Sequence, residues 1–390
     1  MIHSIVRIFQ FVAILGCLSS SIYYLICLCS AAVFLRGRET HKSVRPTQTL
    51  PPVSILKPLK GVDPDIYQSF RSHCLQDYPE YEIIFGVSDP DDPAVASVQQ
   101  LQQEFPDRVI QLIISPNKLG ANVKVSNLEQ MISAARYQYL LVNDSDIRVE
   151  RDYLCRVIAP LADEHVGMVT CLYRGVAAST MGSRLESLGI STDFCAGVLV
   201  ARQLESGLRF GLGSTLAFRR ADLERIGGFR AIVDFLADDY ELGRRIAGLG
   251  LKVLLSDVVV ETHLPAYDLR GFVAHQLRWG RGVRDSRAGG YIGLVSTYGL
   301  MWALLVLIAA LAAPWSWAVF GATVLLRLAV ALTVGKAVLE DRSLFGHLWL
   351  LPVRDLVAVA VWIASFAGHT VTWRGDRFQL KKGRLIRTAP

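Results

Sequence analysis

The sequence predicts an α/β protein, a mostly parallel sheet covered by helices and tied to a membrane by apolar helices near both ends. Two observations predict it. Between about residues 46 and 266, short apolar runs alternate with longer helix-like stretches, and strands separated by helices of that size form a sheet buried on both faces. Outside that region lie two long runs without a single charge, and such runs have the length to cross a bilayer.

The first charge-free run is Phe9 to Leu35, roughly 40 Å long at ~1.5 Å rise per residue, so 9–35 reads as a transmembrane anchor. A secretory signal is the rival, but the run is too long and lacks a clear small-residue cleavage site. Arg36, Arg38, Lys42 and Arg45 follow it, and basic residues mark the cytosolic side. The region from 46 to 266 is therefore expected in the cytosol.

Inside that region the strand-like runs are Val53–Pro58, Tyr81–Val87, Val109–Ile114 and Tyr139–Val142. Asp65–Gln76, Ala94–Glu104 and Asn122–Arg136 have helical spacing between them. In such sheets ligands bind beyond the carboxyl ends of the strands. Acidic residues stand there: Asp89, Asp91 and Asp92 in "SDPDDPA" after the second strand, Asp144 and Asp146 in "NDSD" after the fourth. No dinucleotide fingerprint, P-loop, HExxH or nucleophile elbow is present, so phosphates must be held by other means.

Two carboxylates at i and i+2 of an extended segment point to one side. Their oxygens suit a hard divalent cation, which in turn neutralises a diphosphate. The bland alternative for Asp144 and Asp146 is an Asx-turn and N-cap for a helix starting near Arg151. A second acidic pair, Asp238 and Asp239, opens the amphipathic stretch "ADDYELGRRIAGLG". It reads either as a helix cap or as a general base for an incoming hydroxyl. The helix N-terminus lowers a carboxylate pKa and the neighbouring charge raises it, so the two effects oppose.

Next, "HQLRWGRGVR" (275–284) sets Arg278, Arg281 and Arg284 three apart, one stripe along an amphipathic helix spanning 267–287. It reads as a basic face on the membrane surface, or as a cationic clamp on a diphosphate with Trp279 flanking the acceptor. Ala288 to Leu326 is again free of charge, and Ala-Ala-Pro-Trp-Ser-Trp interrupts it. Pro314 breaks the helix and the tryptophans suit an interface, so 288–335 reads as a transmembrane hairpin. A third apolar segment, 344–368, contains Arg354 and Asp355 and is either a span or an interfacial helix. The basic tail, 369–390, with Arg374, Arg377, Lys381, Lys382, Arg384 and Arg387, is expected in the cytosol, which a third full span would contradict.

The net charge of +6 comes mostly from these flanks and points to anionic lipid head groups. Nucleic acid is not expected as a partner, because the basic residues lack interleaved stacking aromatics. Seven cysteines without a CxxC pair read as reduced cytosolic thiols. Oligomeric state leaves no mark in the sequence.

The pieces in this order resemble a membrane-bound, inverting GT-A glycosyltransferase of the family 2 type. More closely, "SILKPLKGVDPD", "VSDPDDPA", "NDSDIRV", "ADDYELG" and "HQLRW" are together similar to the ceramide glucosyltransferase family, whose bacterial members include hopanoid-associated glycosyltransferases. The likeness runs from about Pro52 to Arg284, and weakly through "TVTWRGDRFQL". It implies a GT-A (Rossmann-like) domain that moves one sugar from a UDP-sugar, N-acetylglucosamine or glucose, to a lipid hydroxyl. The acceptor would be a hopanoid polyol or a ceramide-like lipid, and the protein a multi-pass one of the bacterial inner membrane.

Residue by residue, the resemblance implies that Asp89 and Asp92 bind uridine, with Lys124 and Asn127 near the nucleotide. It makes Asp144 and Asp146 the ligands of Mg²⁺ or Mn²⁺ and Asp239 the base, with Asp238 beside it on the substrate. Arg278 and Trp279 match the (Q/R)xxRW motif, with Arg281 next along the stripe. The motif's first position is His275, a departure that leans toward the bacterial branch. The alternatives are a processive polysaccharide synthase, a polyprenyl-phosphate glycosyltransferase, or a non-catalytic membrane scaffold with a degenerate transferase domain.

Overall fold

The computed structural model describes residues 2–42, 50–205, 207–373 and 375–387; Arg45 and Arg374, counted above among the basic flanks, lie outside them. The chain divides into two compact units. The sheet unit takes residues 39–178, 204–265 and 372–390, and the helical unit takes 1–38, 179–203 and 266–371.

The sheet unit is built on eight strands: β1 (Val53–Pro58), β2 (Tyr81–Val87), β3 (Val109–Ile114), β4 (Tyr139–Val142), β5 (Ile147–Arg148), β6 (Val166–Val176), β7 (Leu216–Arg219) and β8 (Lys252–His263). They lie in the order β3–β2–β1–β4–β7–β6–β8–β5. β1 pairs in parallel with β2 and β4, β2 with β3, and β6 with β8. β7 is antiparallel between β4 and β6, and β5 is antiparallel to β8. Every residue of β1 and β2 is buried, as expected of near-continuous apolar strands covered on both faces. β1 and β4 run in parallel and end side by side, so the loop after β4, with Asp144 to Asp146, leaves the sheet at its carboxyl edge. A hairpin near the C-terminus, Asp376–Lys381 with Arg384–Arg387, also belongs to this unit.

In the helical unit the first helix is Ile2–Lys42. Among the described residues, three helices are long and apolar enough to cross a membrane: Val6–Arg38, Pro314–Val338 and Leu344–Ser365. Ala288–Thr297 and Gly299–Ala309 form a further apolar pair bent by 51°. Gly299–Ala309 turns into Pro314–Ala331 at Leu311 and Ala312, both at positive φ, and Pro314 opens the second helix where its missing N–H costs nothing. Ala13 and Cys17 pack on Ala303 and Val306, and Gly16 lies so near Trp302 that a Cβ there would come within 2.1 Å of the ring. At the other end, Arg38 pairs with Glu340 at 2.9 Å.

Residues 179–203 fall inside the stretch read as one catalytic domain, yet they fold with the helical unit. Leu185 and Leu188 enter a core with Phe272, Ala331, Leu344, Leu350 and Leu351. The helix Met181–Gly189 runs through a π-turn, Ile190–Phe194, into Cys195–Leu204. The charges that weakened the third apolar segment are both turned inward. Asp355 makes a bidentate pair with Arg327 at 2.9 and 2.7 Å, and Arg354 is 7% exposed.

In the sheet unit, helix Asp238–Gly248 approaches the backbone at Phe210 and Gly211 so closely that a Cβ on Gly243 would lie 2.2 Å from the Gly211 nitrogen. Gly248, in the same helix, has open space around it. Gly243→Ala should therefore destabilise the protein by about 1–3 kcal/mol through overpacking. Gly248→Ala should be neutral or stabilising by up to about 1 kcal/mol, the helix-propensity gain. Chemical denaturation of the two purified variants measures the difference, and equal effects would contradict the close approach.

Candidate active site

The site is assembled around one lysine. Asn122 caps helix Val123–Met131 by accepting from the Val125 N–H at 3.1 Å, which sets Lys124 in the first turn. Its Nζ lies 2.7 Å from Asp144 Oδ1 and 2.9 Å from Asp238 Oδ2. Lys124 thus ties the "DSD" loop to the acidic pair, two segments nearly a hundred residues apart in sequence. Burial works against its charge, but Asp144, Asp238 and Asp239 together hold its ammonium well above the ordinary lysine range.

Asp238 and Asp239 are the first two residues of their helix, but Ala237 is the N-cap and no side chain caps it. Neither aspartate is therefore the N-cap itself, although both stand in the first turn, where a helix terminus favours negative charge. Asp239 Oδ2 accepts from the Gly213 N–H at 2.8 Å, its Oδ1 from the Tyr240 N–H at 2.7 Å, and its carbonyl from the Gly211 N–H at 3.2 Å. Burial first, and then the charge of Asp238, push its carboxyl up to about 6, against the pull of Lys124. Of the two opposing effects noted from the sequence, the helix N-terminus is the weaker here, because burial sides with the neighbouring charge.

Asp144 stands just past β4, after Asn143, and its N–H donates to the Gly213 carbonyl at 3.2 Å. Neither it nor Asp146 caps a helix: the helix near Arg151 is Tyr153–Ile158, with Asp152 at its N-cap. Gly213 stands between the two acidic groups. A Cβ there would come within 2.6 Å of Asp144 Oδ2, so a side chain at this position would make the Asp144 carboxylate shift, while Asp239 Oδ2 at 3.5 Å would stay in ordinary contact. Asp146 accepts from the Thr262 hydroxyl, and burial, then the charge of Asp144, raise its carboxyl to about 6.

Beneath the loop lies Lys57 of β1, fully buried, donating to the Asp144 carbonyl at 3.2 Å and 3.5 Å from His73 Nε2. Burial lowers its ammonium to about 7. Lys57 and Gly213 were not singled out from the sequence, although a lysine inside an otherwise apolar strand was a visible anomaly.

The other expected residues fall into two groups. Asn127 is buried one turn after Lys124, accepting from the Ser88 hydroxyl at 2.7 Å and so holding the end of β2. Asp92 accepts from the N–H groups of Gly61, at 3.1 and 2.9 Å, and Ala94, at 2.9 Å. Asp89 is exposed and accepts from the Asp91 N–H. These three stand by the loops after β1 and β2. His275, Arg278, Trp279 and Arg281 lie on helix Leu269–Ser286 of the helical unit. His275 is stacked with Tyr267 and packed against Trp279, both at 5.3 Å. Arg281, expected in the clamp, donates to the Thr370 carbonyl at 2.7 Å, and Arg284 to that of Gly368 at 2.8 Å. Two members of the stripe therefore bind backbone just beyond helix Leu351–Ser365.

The segment before the acidic pair is held by the C-terminal hairpin. The Leu385 N–H donates to the Asp234 carbonyl at 2.7 Å and the Leu236 N–H to that of Gly383 at 3.0 Å. The Arg384 guanidinium covers the Phe235 ring at 5.1 Å. From the other side Asn122 Nδ2 donates to the Phe235 carbonyl at 2.8 Å.

Among the described residues no group of three or more His, Cys, Asp or Glu is gathered for a metal. Asp144 and Asp146 still fit a divalent cation shared with phosphate oxygens, because burial and then the charge of Asp144 raise the Asp146 carboxyl, and a bound cation would relieve both. They do not make an all-protein cage.

Three comparisons bear on this site. The model of glycosyl transferase family 21 matches residues 12–386. Ceramide glucosyltransferase 1 of Caenorhabditis elegans is 23% identical over 98% of this chain and 82% of its own length. A ceramide glucosyltransferase of Komagataella phaffii is 33% identical over 30% of this chain and 25% of its own. Among solved structures, a mannosyltransferase from Pyrobaculum calidifontis, in complex with GDP-Man and Mn²⁺, superposes with a TM-score of 0.51 at 19% identity. It covers 91% of this chain and 98% of that one, a likeness in fold, the GT-A sheet.

Removing the lysine leaves Asp144 and Asp238 facing each other. Lys124→Met should cost about 2–3 kcal/mol, below the value for a fully buried pair because Asp144 is 42% exposed. Adding Asp144→Asn and Asp238→Asn to it should restore most of the loss. Denaturant unfolding of the three proteins checks both statements, and a harmless single variant would remove the lysine from its central place.

Proposed function

The chain belongs to glycosyl transferase family 21 and is a membrane glycosyltransferase of the ceramide glucosyltransferase kind, and we propose that it moves one sugar from a UDP-sugar to the hydroxyl of a membrane lipid. N-acetylglucosamine or glucose is the proposed sugar, and a hopanoid polyol or a ceramide-like lipid the acceptor. The observation that carries this reading is Lys124 joining Asp144 to the pair that contains Asp239. It supports a single site in which a diphosphate-binding loop and a base act on one substrate pair.

Asp239 is the proposed base. It takes the proton of the acceptor hydroxyl as that oxygen attacks the anomeric carbon. The bond from that carbon to the diphosphate breaks, UDP leaves with the electron pair, and the configuration inverts. Asp144 and Asp146 would hold the divalent cation, which when bound supplies charge stabilisation to the departing diphosphate. Lys124 is placed to hold Asp144 and Asp238 together beside the base. Asp89 and Asp92 stand on the loop after β2, and Asn127, on the helix that carries Lys124, reaches the end of that strand; the nucleotide is proposed to lie there. His275, Arg278 and Trp279 are assigned to substrate through the family motif.

For the membrane part, the tail hairpin bonds to Asp234 and Leu236 inside the sheet unit. Chain that leaves the sheet unit at 265 and returns by 372 crosses the bilayer an even number of times. Within the helical unit, Leu350 and Leu351 pack beside Ala331, near the end of one hairpin arm. Trp362 packs against Tyr298, at the start of the other arm. Both ends of Leu351–Ser365 therefore meet the same end of the hairpin. This supports an in-plane helix, two crossings between 288 and 338, and a tail on the catalytic side. The basic flank after the anchor supports a cytosolic catalytic side; the bacterial inner membrane is proposed from the family resemblance.

Asp239→Asn should lower kcat by about 10²–10⁴-fold, the range for a lost general base, with donor binding retained. Because the base must be ionised, the wild-type rate should rise with pH through about 6 and level off above it; a flat profile from pH 5 to 8 would contradict the assignment. The assay uses purified enzyme, UDP-sugars and extracted bacterial lipids, with mass spectrometry of the product. For the topology, cysteines placed at positions 369 and 388 should react with a membrane-impermeant maleimide only when the cytosolic side is opened. Labelling from the outside would restore a third span.

A further inference from the structure

The helical unit holds two arginines that are treated differently. Arg327 is saturated: its Nε and Nη2 grip Asp355 at 2.9 and 2.7 Å, Nη2 also reaches Asp193 Oδ1 at 2.7 Å, and Nη1 donates to the Thr192 carbonyl at 3.2 Å. Arg354 is equally buried, at 7% exposure, but its Nε and Nη1 have no hydrogen-bond partner. Only its Nη2 finds company, 3.3 Å from Gln276 Oε1 and 3.7 Å from Asp193 Oδ2.

Carboxylate oxygens nearby are in the same position. Glu186 is 2% exposed; its Oε1 lies 2.7 Å from His275 Nδ1 while Oε2 has no partner. Asp193 Oδ2 likewise makes no hydrogen bond. These groups share one place. Glu186 and Gly189 are one turn apart, and the Arg354 guanidinium rests on the backbone of Gly189, where a Cβ would meet its Nε at 2.3 Å. Asp193 sits in the π-turn Ile190–Phe194, and π-turns inside helices are frequent at functional sites.

Buried polar groups are nearly always satisfied, so several orphans in one spot call for a missing partner. Ionisable groups among membrane helices mark sites by the same reasoning. The missing partner must accept from a guanidinium and donate to carboxylates at once. The cluster sets three carboxylates (Glu186, Asp193, Asp355) against two guanidiniums, so it offers no surplus of positive charge to an anionic head. A phosphate would satisfy Arg354 and repel the two carboxylates.

We propose that Glu186, Asp193 and Arg354 form a binding site for the uncharged head group of a lipid carrying hydroxyl and amide groups. Its carbonyl or hydroxyl oxygen accepts from Arg354, and its O–H or N–H groups donate to Glu186 and Asp193. Taking that lipid to be the sugar acceptor rests on the function proposed above; the site itself does not.

The first test is catalysis-free. Purified wild-type protein in nanodiscs is photolabelled with an N-acylated amino-alcohol lipid bearing a diazirine, and in parallel with a diazirine phosphatidic acid. The neutral probe should label peptides from 181–194 or 351–365, and Glu186→Gln with Arg354→Gln should cut that labelling at least about tenfold. Labelling elsewhere, or equal labelling by the anionic probe, overturns the proposal. The second test uses kinetics: Glu186→Gln should raise the acceptor KM about tenfold and leave the donor KM and the unfolding midpoint unchanged. A fall in midpoint as large as that of Arg327→Gln, without a specific change in acceptor KM, would make the cluster structural and overturn the site. Neutral-probe labelling in a protein that transfers no sugar would keep the site and refute the acceptor assignment.

Discussion

Gathering carboxylates is what a diphosphate-handling site needs and what a folded protein resists, and the contact of Lys124 with Asp144 and Asp238 resolves that conflict. Two unit charges about 5 Å apart repel by about 3 kcal/mol at an effective dielectric near 20. Here Asp144 and Asp146, from the loop after β4, are brought up to Asp238 and Asp239 at the start of their helix. One ammonium, itself stabilised by their combined field, offsets enough of the repulsion for the two segments to meet. The remaining tension shows in the raised carboxyls of Asp146 and Asp239, and it is of the sort that cation binding and base catalysis can use.

The cluster is held from outside by contacts that carry no chemistry of their own. Gly213 gives room for the Asp144 carboxylate, Gly243 lets the acidic-pair helix lie on the backbone of Gly211, and the C-terminal hairpin braces residues 234–236. Lys57 steadies the Asp144 carbonyl from within the sheet. Such bracing matters because a site acts through groups already in place, and looseness of about an ångström is costly. The weak family likeness near the C-terminus has a physical counterpart in this hairpin, which reaches back to the segment before Asp238.

In the helical unit the same electrostatic problem is solved among apolar helices. A charge at the centre of a membrane helix costs about 2.5–3.5 kcal/mol even on the mildest scale, so unpaired charges there are unusual. Arg327 and Asp355 answer it by pairing, and Asp193 with one of its two oxygens. Glu186 and Arg354 do so only in part, and that difference distinguishes a strut from a surface that expects company. Arg281 and Arg284 make a similar point, because their donors go to backbone carbonyls at 367–370.

The sequence by itself determined the alternation of strands and helices, the apolar runs and the order of acidic motifs, because hydropathy period and motif spacing are local properties of the chain. From these the mostly parallel sheet, the long apolar helix near the N-terminus and the acidic residues Asp144, Asp146, Asp238 and Asp239 at the candidate site were all legible. Only the tertiary structure decided that Lys124 joins the two acidic segments, that Gly213 separates Asp144 from Asp239, and that burial outweighs the helix terminus at Asp239. It also decided that 179–203 folds with the apolar helices and that Arg354 and Asp355 face inward, so the charges that spoke against the third apolar segment meet side chains of other segments, Asp355 fully and Arg354 through one nitrogen. Each of these depends on which distant segments meet, and a charge's energy is set by its neighbours and its distance from water, quantities that exist only once the chain has closed on itself.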